Sequence, residues 1–203
     1  MSSRGFTDPN QRLAPYVDPH IHPVGNHDHV GIPSASNLVW DDLRVEMGRA
    51  TVGTDPPTLA TFLGTTQALS FSAAATNSVM FVVQLPHGWA QGTTVHPHIH
   101  WAPATTNVGN VRWELEYTWA NMTGTFGAPT VLTVDAAAGG VAFAHKVTAF
   151  GSIVGTGKTD SSVIVCRAAR LGAHGNDTFT GAAFGLSIDF HIQLDSIGDS
   201  TQP

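Results

Sequence analysis

Charged side chains are scarce in this sequence. Asp, Glu, Lys and Arg together make up 12% of the 203 residues, whereas roughly a quarter is usual for a globular domain. Lysine occurs only at Lys146 and Lys158. Because a soluble monomer normally carries more surface charge, we predict that much of the surface faces other protein. A surface rich in Thr, Ser, Asn and Gly is the alternative.

Several other features that the sequence lacks exclude further classes of function. The single cysteine, Cys166, excludes an intrachain disulfide and a cysteine-based zinc site, and its apolar neighbours predict an inert core thiol. A net charge of −6 without a basic cluster argues against nucleic acid as a direct partner. No apolar run approaches the roughly 18 residues of a membrane-spanning helix, and the N-terminal residues lack the apolar segment of a secretory signal. We therefore expect no membrane partner.

Residues 1–37 differ in composition from the remainder. They contain five of the twelve prolines and four of the eleven histidines, with few large apolar residues. Such a segment cannot bury enough apolar surface to fold alone, so we predict an extended N-terminal arm that is held by a neighbouring chain. Its histidines are candidate interface residues, although their paired spacing would also suit a metal: His20, His22, His27 and His29.

Residues 38–203 consist of short apolar segments separated by Gly, Pro and Asn turns. This pattern predicts one all-β domain, an antiparallel β-sandwich or jelly roll. Alternating apolar residues mark strands at 112–119 and 186–194, and an apolar run at 78–85 predicts a central strand that is covered on both faces. The predicted core includes Trp101, Trp113, Leu115 and Trp119.

Three histidines recur at alternate positions in residues 95–101, VHPHIHW. In a β-strand, alternate side chains point to the same face, so His96, His98 and His100 should form one row. Three neighbouring imidazoles need partners, and these could be carboxylates, a metal ion, or the same row from another subunit. The row is therefore the sequence's candidate site.

Three interpretations of the row remain open. In the first, the strand forms a hairpin with residues 110–119, and the imidazoles are charged, have raised pKa values, and pair with Glu114 and Glu116. In the second, the rows of three subunits hold a structural metal ion on a symmetry axis, where imidazole suits Zn, Ni and Fe. In the third, the row belongs to an enzymatic metal site. The candidate metal ligands are His96, His98 and His100, and no other cofactor is expected.

The third interpretation rests on a partial resemblance to cupins. Gly92, His98 and His100 match the spacing of the glycine and the strand H-x-H motif in that family. The family also has a Glu four or five residues later, where this chain has Ala104 and Thr105. The sequence thus keeps a cupin-like metal-dependent enzyme as an alternative, and we expect no catalytic residue.

Four runs together resemble a group of tailed-bacteriophage virion structural proteins. They are NLVWDDLRV at 37–45, LPHGWAQG at 85–92, VHPHIHWAP at 95–103 and VRWELEYTWAN at 111–121, and the segment 184–195 also fits. The resemblance spans roughly residues 37–198. It implies a homo-oligomeric β-protein of the virion and carries over no catalytic residue.

From this resemblance, together with the low charge and the arm, we expect a capsid decoration or cement protein rather than an enzyme. Such a protein stabilises the phage head by bridging capsomers, so its expected partners are the major capsid protein and copies of itself. The low charge and the histidine row predict that these copies form a homotrimer. It would be located in the virion after assembly in the host cytoplasm. A tail or neck fibre or adaptor subunit is the alternative within the particle.

Overall fold

The computed structural model describes residues 38–53 and 55–196. The predicted arm at 1–37 and its four histidines lie outside these residues. The described chain contains a short 3-10 helix at Met47–Arg49 and no helix long and apolar enough to cross a membrane. Its strands are β1 Val39–Glu46, β2 Thr51–Val52, β3 Thr58–Thr61, β4 Gln67–Phe71, β5 Thr76–Gln84, β6 His96–Pro103, β7 Asn110–Ala120, β8 Thr130–Ala137, β9 Lys146–Ala149, β10 Val163–Leu171 and β11 Ala183–Leu194.

These strands form two antiparallel sheets, which confirms the predicted all-β sandwich. The front sheet has the order β3-β4-β11-β6-β9, and β1 also pairs with β11. The back sheet has the order β2-β5-β10-β7-β8. Strand β11 is therefore central to the front sheet, with β6 along one edge and both β4 and β1 along the other.

The core lies between the sheets and is built largely from aromatic side chains. Trp101 of the front sheet and Trp113 of the back sheet are fully buried, with ring centroids 5.9 Å apart. Leu115 and Trp119 are also buried, so the predicted core is confirmed. Cys166 lies in the same core, where burial raises the pKa of its thiol to about 12. Truncating such a core aromatic typically costs about 3–5 kcal/mol.

A buried arginine joins the two sheets at one end of the sandwich. The Arg170 side chain is fully buried on β10 and donates two hydrogen bonds to the Asp177 carboxylate, at 2.9 and 2.7 Å. It also donates to the backbone carbonyls of Phe71, Phe179 and Gly181. Because this one side chain contacts β4 and the loop before β11, it fixes how the sheets meet.

The structure corrects the interpretation of residues 78–85. Strand β5 lies between β2 and β10, as an interior strand of the back sheet. Its inward residues Phe81 and Val83 are buried, but the outward Met80 and Val82 are 42% and 59% exposed. The prediction of a strand covered on both faces is therefore wrong for this chain, because no further layer of described residues packs on the outside of the back sheet.

The predicted hairpin between the histidine strand and residues 110–119 is also wrong. Strands β6 and β7 lie in opposite sheets, and β6 pairs instead with β11 and β9. The connection between them crosses the sandwich, so Trp101 and Trp113 meet across the core with their rings edge to face. Glu114 and Glu116 therefore lie far from the histidines in the fold, and both form ion pairs with Arg167.

Candidate functional site

The histidine row lies on the outer face of the front sheet, as the alternation predicts. Its partners come from β11, whose outward residues sit beside those of β6. In the strand register, His98 pairs with Asp189 and His96 pairs with His191. Imidazoles and carboxylates that are about 90 residues apart in the sequence are thereby brought side by side.

Asp189 is the centre of the cluster. Its side chain is fully buried, and its Oδ2 accepts a hydrogen bond of 3.1 Å from Nε of Arg44, which β1 supplies. The same oxygen lies 3.4 Å from Nε2 of His100 and 4.0 Å from Nε2 of His98. The other oxygen, Oδ1, is buried without a hydrogen-bond partner. An unpaired buried polar atom costs roughly 1–3 kcal/mol, and more when it is charged.

A chain of imidazole hydrogen bonds runs across the face. Nε2 of His98 lies 3.1 Å from Nε2 of His100. On its other side, Nδ1 of His100 lies 2.7 Å from Nε2 of His145, which precedes β9. The rings of His100 and His145 are stacked, with centroids 4.9 Å apart. The cluster thus spans the two central strands and the connection into β9.

The pKa values of His98 and His100 are both lowered from the usual 6.5 of histidine. Burial is the largest cause for each, because removing an imidazolium from water is unfavourable. The neighbouring His191 lowers the pKa of His98 further, whereas Asp189 raises both values by less than burial lowers them. Both pKa shifts favour the neutral imidazole, which is the opposite direction from the raised pKa values of the charged, paired interpretation.

His96 stands apart from the other two histidines. Its Nδ1 lies 3.0 Å from the hydroxyl of Ser152, and its ring packs edge-on against Trp40 at 5.5 Å. It belongs to neither of the groups in the described residues whose ligand atoms lie within 4.8 Å of one another. The row is therefore divided, with His98 and His100 beside Asp189 and His96 beside Ser152.

The two groups share His98. One comprises His98, His100 and Asp189, and the other comprises Asp42, His98 and His191. In the second group, Nε2 of His191 lies 2.7 Å from Oδ1 of Asp42, and both side chains are more than one third exposed. An exposed contact of this kind contributes little to stability. The first group, centred on a buried carboxylate, is the stronger candidate to hold a cation.

Sequence reasoning missed Asp189, His191 and Arg44 as members of the site. A signal was present, because Asp189 and His191 alternate with the apolar residues of the strand at 186–194 and therefore share its outward face. What the sequence did not indicate was which strand lies next to β6. Because the neighbouring strand was not known, Glu114 and Glu116 were chosen as the nearest carboxylates along the chain.

No family model and no curated protein matches this chain. Among solved structures, it is similar to a CBM35 module from Cellvibrio japonicus, with a TM-score of 0.40 and 10% identity, covering 74% of this chain and 92% of that chain. A family 35 carbohydrate-binding module from Clostridium thermocellum is similar with a TM-score of 0.39 and 10% identity, covering 73% of this chain and 97% of that chain. An exo-beta-1,3-galactanase from Phanerochaete chrysosporium is similar with a TM-score of 0.40 and 12% identity, covering 74% of this chain and 29% of that chain. Similarity at this level concerns the arrangement of strands and does not bear on what this chain binds.

Proposed function

We propose that this protein is a structural component of a tailed-phage virion, most specifically a capsid decoration or cement protein. In this role it binds the major capsid protein and copies of itself, and the work it performs is binding. The proposal draws on the phage-like sequence runs and on the low charge of the chain. The observation that carries it is an exposed apolar surface on the outer face of the back sheet.

This apolar patch consists of Met80, Val82 and Val165, which are 40–59% exposed. Val82 and Val165 are directly opposite each other in the strand register, and Met80 is opposite Arg167. The ion pairs from Arg167 to Glu114 and Glu116 border the patch on the next strand. An apolar centre with a charged rim is the usual anatomy of a protein–protein contact.

We assign the apolar patch to contact with a second copy of the chain, within the proposed trimer. Val82→Lys places a charge in the middle of this contact, so we expect it to convert the oligomer to monomer in sedimentation velocity runs at micromolar concentration. Val108→Lys is the matched control, since Val108 is 75% exposed and lies in the connection between the sheets. If the wild-type protein is a monomer, or if Val82→Lys leaves the oligomer unchanged, the patch is not a contact between copies of the chain.

The virion location is tested on the parent phage. Mass spectrometry of purified particles should detect the protein, and an electron-microscopy map should place the sandwich on the head surface at symmetry-related positions. Binding at many such positions adds avidity without requiring tight single contacts. Density only on the tail or neck would favour the fibre or adaptor alternative. Absence from particles, with the protein present in infected cells, would contradict the proposal.

The arm provides a second test of the same role. Because residues 1–37 are rich in proline and poor in large apolar residues, we propose that they attach the domain to the capsid. Deleting them should leave the melting temperature of the sandwich almost unchanged while abolishing loading onto undecorated heads, measured by co-sedimentation. Normal loading of the truncated protein would contradict this assignment.

A metal-dependent enzyme is the second candidate, and one observation favours it. His98, His100 and Asp189 supply two imidazoles and one carboxylate, which is a ligand set that divalent transition metals use. These residues lie on the outer surface of a sheet, whereas substrate sites are usually concave and apolar. The binding role is therefore the better supported of the two.

A further inference from the structure

We propose that Nε2 of His98, Nε2 of His100 and the carboxylate of Asp189 bind one divalent transition-metal ion within a single chain. This site differs from an ion on a symmetry axis, because all three ligands come from β6 and β11 of the same chain. It also does not depend on the proposed virion role, since it can be tested on the isolated protein.

The distances between the ligand atoms suit an ion of this class. The three atoms form a triangle with sides of 3.1, 3.4 and 4.0 Å. A point equidistant from all three lies about 2.1 Å from each, which matches the length of zinc–nitrogen and zinc–oxygen bonds.

The His100 ring has a partner for its remaining nitrogen. Nδ1 of His100 lies 2.7 Å from Nε2 of His145. Metal-bound histidines generally donate their other N–H in this way, which fixes the ring orientation. Metal binding would place the proton of each ring on Nδ1, so the 3.1 Å contact between the two Nε2 atoms would no longer be a hydrogen bond and both Nε2 lone pairs would be free for the ion. A cation between them then removes the repulsion among three electron-rich atoms.

The second oxygen of Asp189 is an independent observation that points to a cation. Oδ1 is buried and accepts no hydrogen bond, although Oδ2 of the same carboxylate is bound by Arg44. Buried carboxylates are normally fully hydrogen-bonded or coordinate metals. The triangle of ligand atoms uses Oδ2, so an ion at its centre would also satisfy Oδ1 only if the carboxylate bound it through both oxygens.

The donor atoms indicate which metals bind. Two imidazoles and one carboxylate suit Zn, Co, Ni and Fe, whereas Ca²⁺ and Mg²⁺ prefer sites made of oxygen atoms. Three protein ligands leave at least one coordination position for water. The His100 side chain is 18% exposed, so this position can be reached from solvent.

Equilibrium dialysis of the full chain against ZnCl₂, followed by elemental analysis, tests the proposal. Because the arm contains four further histidines that can bind zinc, the decisive quantity is the difference in bound zinc between wild type and each variant. Wild type should retain one zinc ion per chain more than His100→Gln or His98→Gln. His96→Gln is the matched control from the same strand and face, and it should retain the wild-type amount. Ca²⁺ and Mg²⁺ should give no stoichiometric binding.

Co²⁺ supplies a readout that does not depend on a variant folding. Bound by two imidazoles and a carboxylate, Co²⁺ should show visible absorption bands in the wild-type chain that zinc displaces. His145→Phe removes the acceptor beside His100 and should weaken zinc binding about 10- to 100-fold. Circular dichroism establishes that each variant is folded, and the partly exposed His100 is the substitution least disruptive to packing.

Four results would overturn the proposal. The first is no stoichiometric zinc and no cobalt spectrum in the wild-type chain. The second is an equal loss of zinc in His96→Gln and His100→Gln. The third is a loss in Asp42→Asn or His191→Gln without one in His100→Gln, which would place the ion in the neighbouring group. The fourth is one ion per three chains, which would indicate a symmetry-axis site. None of these results bears on whether the protein is found in virions.

Discussion

Arg170 and Asp189 are two fully buried charged side chains that differ in how many of their polar atoms have hydrogen-bond partners. Arg170 makes five hydrogen bonds, two to the Asp177 carboxylate and three to backbone carbonyls. Asp189 accepts one hydrogen bond from Arg44, faces two imidazoles, and keeps one oxygen without a partner. The first lies at the end of the core, and the second lies on the outer face of the front sheet.

The contrast separates a structural charge from one that retains capacity for a ligand. When every donor of a buried charge has an acceptor, the network rigidifies the fold and has no free atom to offer. A carboxylate with an unused oxygen, beside two imidazoles whose pKa values are lowered, can still accept a cation. Substituting Arg170 and Asp189 in turn should therefore have different consequences for stability and for metal binding.

The largest effect is expected for Arg170→Met. The substitution leaves the buried Asp177 carboxylate without its charged partner, although the backbone N–H of Arg112 still donates to Oδ2. Removing one member of a buried ion pair typically costs about 3–5 kcal/mol. Arg167→Met is the matched control on the same strand. Arg167 is 31% exposed, and its partners Glu116 and Glu114 are 33% and 14% exposed. Partly exposed pairs are usually worth about 1 kcal/mol or less each, so the loss should be clearly smaller than for Arg170→Met. Urea denaturation measures both, and equal losses would contradict the distinction.

A smaller effect is expected for Asp189→Asn in protein stripped of metal. The amide keeps the shape of the side chain and removes the charge. We therefore expect the free energy of unfolding to change by no more than roughly 1–3 kcal/mol. Asp42→Asn, at an exposed position of the same face, should change stability by about 0.5 kcal/mol at most. Should Asp189→Asn destabilise the protein as much as Arg170→Met, Asp189 would be a structural charge of the same kind.

Much of this fold follows from alternation in the sequence. Residues 112–119 and 186–194 show which side chains face the core, and the same rule places Arg170 inside, because it shares its parity with Ile164 and Cys166 on β10. An arginine in an inward position signals a buried ion pair. This signal was available from the sequence and was missed there.

The neighbours of each strand could not be predicted in the same way. Alternation defines the two faces of a strand and carries no information about which strand lies beside it. The connection after β6 crosses to the other sheet, so the carboxylate beside His98 comes from β11, about 90 residues later. For the same reason, apolar residues on both faces of β5 did not reveal that one face is exposed in the single chain.

The pH dependence of stability sharpens the comparison further. The pKa values of His98 and His100 are lowered in the folded chain, so the unfolded chain binds more protons between those values and about 6.5. The free energy of unfolding should therefore fall as the pH decreases from 6.5 toward the folded values, and level off below them.

Thermal melts in EDTA between pH 7.5 and 5.5 measure this effect. The decrease in melting temperature on acidification should be greater for wild type than for the double variant His98→Gln/His100→Gln. His96→Gln serves as the control and should follow wild type. A wild-type protein that becomes more stable on acidification relative to the double variant would show that the histidines are charged and paired in the fold.

The most direct test is a crystal structure of the zinc-loaded protein with anomalous data collected on both sides of the zinc absorption edge. The account predicts one anomalous peak per chain on the outer face of the front sheet, about 2.1 Å from Nε2 of His98, Nε2 of His100 and a carboxylate oxygen of Asp189. No peak at this position in a fully loaded crystal, or a peak held by Asp42 and His191 instead, would contradict it.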